Sequence, residues 1–181
     1  MYEIRLHGLG GEGVVRLSEI IGMASVACGK WAHSFPFFGT EIRGAAVKAF
    51  TRVDDKPVTL RSYIYEPDVL LLTNDVLLEN PDVTRGIRKD TLFLLNSARD
   101  SAELEAKYGC KTFAVNATSL AYDIIGKPIV NTIMLGALIG ATDIMPMGMA
   151  EKIIRESFGS AIVEKNIRAL NKGYEVIKEV C

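Results

Sequence analysis

The hydrophobic pattern of this chain changes period repeatedly, and the changes outline strands and helices in turn. The opening run Tyr2 to Leu6 predicts a strand. A glycine-rich turn follows, and then Val14, Leu17, Ile21, Ala24 and Cys28 repeat at the spacing of a helix that buries one face. Gly29 should end that helix in the left-handed conformation. The stretch from Pro36 to Gly44 reads as irregular, and Ala45 to Val53 as a strand near a sheet edge, since Lys48 and Arg52 interrupt its apolar run. A turn at Asp54 to Pro57 leads to a second strand, Val58 to Tyr65, so the two predict an antiparallel hairpin. Val69 to Leu72 and Thr91 to Leu95 are short and wholly apolar, as strands covered on both faces are, with Thr112 to Val115 a weaker example.

Helices are predicted around Asn80 to Arg88, Ser101 to Tyr108, Ala117 to Ile125, Asn131 to Gly140 and Met147 to Phe158. From Ser160 as N-cap, Val163, Ile167, Leu170, Tyr174, Ile177 and Cys181 form one apolar stripe that must cover either this chain's own layers or a partner. The alternation of strand and helix predicts one three-layer α/β/α domain over residues 1–181. Its sheet should be mixed and mainly parallel with a β-hairpin, and its C-terminal region helical.

Composition narrows the function classes. With 181 residues the chain is long enough to bury about 70% of its unfolded surface as one domain. A formal net charge of -1 invites neither nucleic acid nor an anionic membrane. Cys28, Cys110 and Cys181 are odd in number and widely spaced, which fits buried or free thiols in a reducing cytosol better than a disulfide framework. No run approaches a membrane span, so the expected location is cytoplasmic.

Two segments carry candidate chemistry. Gly8, Gly10 and Gly13 have the spacing of a dinucleotide fingerprint, with Gly11 and Glu12 inside the same loop. Such a site also needs a carboxylate about twenty positions on for the ribose, yet none occurs before Glu41, and Glu12 adds negative charge where a phosphate would sit. The second segment packs Phe35, Phe37 and Phe38 beside Gly39, Glu41, Arg43 and Gly44. Apolar residues around an Arg are typical of interface hot spots. Core plugging by the phenylalanines with a local Glu41–Arg43 pair is the other reading. His7, at a strand end, is assigned a structural hydrogen bond rather than proton transfer; His33 suits packing or an interface equally.

These segments resemble a known family. Gly8 to Val15 and Ser34 to Val47 are similar to the first two motifs of the gamma subunit of the 2-oxoacid:ferredoxin oxidoreductases. Leu60 to Asp68, Asn131 to Ala137, Glu164 to Asn166 and Gly173-Tyr174 extend the resemblance over nearly the whole chain. The phenylalanine-rich second motif resembles the pyruvate and branched-chain branch. Glu12 stands where the family usually has Gln, and Ile42 where it has a second Arg.

The resemblance implies a gamma chain of a pyruvate synthase type enzyme, which decarboxylates a 2-oxoacid oxidatively with coenzyme A and passes electrons to ferredoxin. It implies alpha and beta partner chains, with delta a further candidate, and places thiamine diphosphate, Mg2+ and iron–sulfur clusters in those partners. This chain shows no cysteine cluster and no nucleophile–base spacing, so no catalytic, metal-binding or cofactor-binding residue is assigned to it alone. Phe35 to Gly44 would face the thiamine-binding subunits. The competing readings are a free-standing nucleotide- or flavin-binding oxidoreductase using Gly8 to Gly13, and a non-catalytic homo-oligomer joined through the terminal stripe and the phenylalanine segment.

Overall fold

The structure is a computed structural model that describes residues 1–37 and 45–180. Its first strand, β1 (Tyr2–Leu9), places Ile4 and Leu6 on one face and Arg5 and His7 on the other. Helix α1 (Val14–Ala27) follows, and Gly29 beyond it has φ +80°, the left-handed stop its composition calls for. Next come β2 (Trp31–Phe37), β3 (Ala46–Asp54) and β4 (Val69–Leu72), and two short 3-10 turns, Asp75–Glu79 and Pro81–Val83. The chain continues through β5 (Leu92–Asn96), α2 (Ser101–Tyr108), β6 (Thr112–Val115), α3 (Ala117–Ile124), α4 (Asn131–Thr142), α5 (Met147–Ser157) and α6 (Ser160–Lys178).

The strands form one sheet in the order β2-β3-β1-β4-β5-β6. The run from β1 through β4 and β5 to β6 is parallel; β3 pairs antiparallel with both β1 and β2. The mixed, mainly parallel α/β architecture is therefore as predicted. The hairpin, however, joins β2 and β3, and β3 is an inner strand. Edge strand β2 can carry Pro36 because only one of its backbone edges is paired.

Three local expectations are corrected. Val58 to Tyr65 forms no strand, because the carbonyls of Ser62, Tyr63, Ile64 and Tyr65 are held by arginine side chains instead of a neighbouring strand. Asn80 to Arg88 holds only a 3-10 turn, in which the Asn80 side chain caps Asp82. Gly159, not Ser160, is the N-cap of α6, with no side-chain cap bond.

The larger core lies between α1, α4 and the sheet face that carries Ile4, Leu6, Val69, Leu71 and Leu94. Helix α4 is buried along Asn131 to Gly140. The α6 stripe covers it, since Ile167, Leu170 and Ile177 pack into the same core. Close approach is built in: a Cβ on Gly136 would overlap the Leu170 carbonyl, and one on Gly173 the Ile133 carbonyl. On the opposite face, α2 and the 3-10 turns cover Leu70, Leu72, Phe93 and Leu95. Beyond β4, among the described residues, no helix covers this face. Over β1, β3 and β2 the same face presents Arg5, His7, Lys48, Phe50, Phe35 and Phe37.

Candidate functional site

At the end of β1 the glycine loop is filled from within. Glu12 Oε2 accepts from the backbone N–H of Leu9 at 2.8 Å and from Thr73 Oγ1 at 2.7 Å, while Oε1 accepts from Asn74 Nδ2 at 2.7 Å. A phosphate would require those donors. The glycines serve packing and turn geometry instead: Gly11 and Gly13 have φ +95° and +78°, and a Cβ on Gly8 would overlap Thr73 and Val14. At Gly13 the close neighbour is the Asn131 amide, whose Oδ1 accepts from the N–H of Thr132. Asn131 is thus a first-turn residue under the loop, with Val130 at the cap position. The loop is the crossing point of β1, α1, β4 and α4.

The half of the sheet that no helix covers on this face forms the floor of an open cleft of about 360 Å3. Strand alternation puts Arg5 and His7 of β1 beside Phe50 and Lys48 of β3, in register, and Phe35 and Phe37 of β2 beyond them. One wall is the segment around Tyr63 to Glu66; another is Asp82 to Gly86. Two arginines fasten these walls. Arg5, 6% exposed, donates to the carbonyls of Ile64, Tyr65, Val83 and Arg85 at 2.6 to 3.3 Å. Arg52, 2% exposed, pairs with Glu3 at 2.6 Å and donates to the carbonyls of Ser62 and Tyr63.

The rings continue the floor onto the wall. Phe35 and Phe50 lie 5.1 Å apart between centroids, Phe50 and Tyr63 5.3 Å nearly parallel, and Phe37 meets Tyr63 edge-on at 5.3 Å. Tyr65 is 69% exposed and Phe37 38%, so the cluster opens outward. Burial, reinforced by the positive charges of Arg5 and Lys48, lowers the His7 imidazole to about 3, so His7 is neutral near pH 7. Burial also lowers Arg5, to about 10, which leaves it charged.

Of the predicted interface residues, Phe35 and Phe37 lie on strand β2; Phe38, Gly39, Glu41, Arg43 and Gly44 lie outside the described residues, as does Cys181. His33, also on β2, stacks on Phe35 at 5.0 Å. The glycine-loop residues Gly8, Gly10, Gly11, Glu12 and Gly13 come together as a turn, apart from the cleft. The sequence reading missed Arg5, Lys48, Phe50, Tyr63 and Tyr65 as one site. The signal was present: the polar or aromatic positions Arg5 and His7, and Lys48 and Phe50, each stand two apart in runs that otherwise read as core.

Among the described residues, no group of three or more His, Cys, Asp or Glu side chains could hold a metal ion, and no helix is long and apolar enough to cross a membrane. Cys28 and Cys110, the cysteines among the described residues, are too few for the four thiolates of an iron–sulfur cluster.

Comparison with known proteins gives one consistent result. The family model for pyruvate ferredoxin/flavodoxin oxidoreductase matches residues 3–176. The pyruvate synthase subunit PorC of Methanocaldococcus jannaschii is 43% identical over 180 residues, 99% of both chains. The pyruvate/ketoisovalerate oxidoreductases common subunit gamma of Thermococcus kodakarensis is 41% identical over 178 residues, 96% of each. The crystal structure of pyruvate oxidoreductase subunit PORC from Thermotoga maritima superposes with a TM-score of 0.86 at 34% identity, covering 96% of this chain and 95% of that one.

Proposed function

Because the chain belongs to the pyruvate ferredoxin/flavodoxin oxidoreductase family, we propose that it serves as the gamma subunit of a 2-oxoacid:ferredoxin oxidoreductase, with pyruvate as the substrate of the assembled enzyme. The observation that carries this reading is identity of 40% or more with named gamma-type subunits along essentially the whole chain. A relative named as common to pyruvate and ketoisovalerate enzymes fits a chain that completes the enzyme while others select the oxoacid.

The geometry supports the same division of labour. When the complex is assembled, thiamine diphosphate supplies carbanion stabilisation and iron–sulfur clusters the electron path. Both, with Mg2+, would be held by the alpha, beta and any delta subunits. Coenzyme A and ferredoxin act at the level of the complex, which we place in the cytoplasm. This chain, a single gamma-type domain, contributes a surface: the open aromatic half of the sheet faces the thiamine-binding subunits, and Glu41 and Arg43 are proposed to act at the same interface. Glu12 fills the loop that a nucleotide would need, and α6 is spent covering α4, which removes the grounds for a free-standing nucleotide enzyme or a stripe-joined homo-oligomer.

Anaerobic capture of the chain from its native cells tests the assignment. Co-purifying thiamine-binding and iron–sulfur subunits with brown cluster absorbance are expected; recovery of this chain alone, colourless or flavin-yellow, would overturn it. Arg43→Ala or Phe37→Asp should lower turnover or the yield of complex, whereas Tyr122→Ala, exposed on the helical side, should leave both unchanged.

A further inference from the structure

Two buried side-chain nitrogens at the floor of the cleft, Arg5 Nε and His7 Nε2, have no hydrogen-bond partner. Arg5 is 6% and His7 2% exposed. A buried polar group left unpaired costs about 1–3 kcal/mol, and native proteins keep such groups where a ligand, ion or water completes them. Charge around them is one-sided. Arg5 is paired only with backbone carbonyls. Lys48 stands directly opposite His7 in the strand register, and among the described residues its side chain makes no hydrogen bond or ion pair. The two carboxylates that line the cleft each face an arginine, Glu66 with Arg88 at 3.6 Å and Asp82 with Arg85, itself a lining residue, at 3.5 Å.

We propose that the cleft is an oxyanion site, in which the Lys48 ammonium and the side chains of His7 and Arg5 hold a carboxylate or phosphate whose apolar body lies against Phe50 and Tyr63. The volume, about 360 Å3, exceeds what a bare anion needs and lies in the range of small-ligand sites, about 300–1,000 Å3. The anion has two sources: a diffusible ligand, or a carboxylate side chain of a partner subunit seated over the aromatic face.

The test begins with the full chain alone, titrated at constant ionic strength with inorganic phosphate and with phenyl phosphate while thermal unfolding is followed. A saturable rise in Tm is expected, reached at severalfold lower concentration with phenyl phosphate. Lys48→Gln should weaken both probes about tenfold, the equivalent of about 1.4 kcal/mol. Tyr63→Ala should weaken only phenyl phosphate. No saturable rise, or the same rise in wild type and Lys48→Gln, would overturn the proposal. Phenyl phosphate that still binds the purified complex identifies a diffusible ligand, and binding lost on assembly identifies a partner carboxylate; either supports the site. Because the deciding step uses the chain alone, its failure leaves the subunit assignment standing.

Discussion

Glu12 Oε2 lies 2.8 Å from the backbone nitrogen of Leu9, so the loop's own carboxylate holds together the turn that contains it. Glu12→Ala would leave the Leu9 amide, the Thr73 hydroxyl and the Asn74 amide without their shared acceptor. Hydrogen bonds to a charged group contribute about 1.5–3 kcal/mol each and some would be replaced by water, so a loss of about 2–4 kcal/mol is expected in urea unfolding. Glu12→Gln, which keeps one acceptor oxygen, should lose about 1 kcal/mol. An unchanged Glu12→Ala midpoint would mean that the carboxylate does not brace the loop.

The α4–α6 crossing should tolerate no added methyl group. Gly136→Ala and Gly173→Ala each push a Cβ into a backbone carbonyl of the other helix, so each should cost about 3 kcal/mol or more. Gly148→Ala, in the first turn of α5 with open space around it, should instead stabilise by about 0.5–1 kcal/mol. Thermal melts of the three variants would check the contrast.

Acid should act on stability through His7. Its folded value, about 3, is below the ordinary value near 6.5, so the unfolded chain binds the extra proton first. The contribution of His7 is complete above about pH 6.5 and falls as pH drops toward 3, by about 1.4 kcal/mol per pH unit. In buffer free of phosphate and carboxylate, His7→Gln should show a shallower decline of unfolding free energy from about pH 6.5 to 5 than wild type. Parallel declines would contradict a buried neutral imidazole.

The irregular segment over the sheet depends on Arg52. Arg52→Met strands Glu3 without its partner and frees the carbonyls of Ser62 and Tyr63. A loss of about 3 kcal/mol is expected, with faster proteolytic cleavage between residues 58 and 66 at unchanged helix content. Cleavage at the wild-type rate would show that Arg5 alone suffices to hold this segment.

What the sequence made legible follows from what sets each element. Val69 to Leu72 and the Thr91 to Leu95 run are read as strands because full burial on both faces demands unbroken apolar side chains, and the structure agrees to within a residue. Val58 to Tyr65 has strand composition too, but the carbonyls of Ser62 to Tyr65 are met by guanidinium groups that originate in β1 and β3, a tertiary effect invisible to local pattern. Edge strand β2 was hidden for the opposite reason. His33, Ser34 and Pro36 suit an edge, while a reading based on apolar content favours a loop. The negative charge of Glu12 was legible; its inward aim, fixed by Thr73 and Asn74 some sixty residues away, was not. The cleft demanded register, because only the pairing of Lys48 with His7 and of Phe50 with Arg5 joins its residues.

The position of β1 governs the order of assembly during synthesis. Its neighbours are β3 and β4, so on the ribosome β1 gains both pairings only after residue 72 has emerged. The core that Ile4 and Leu6 join includes α4, itself closed over by α6. Such non-local contacts slow folding. Strand β1 is therefore secured only after much of the later chain has emerged, and a nascent chain stalled short of α6 would present the apolar surface of α4 to chaperones.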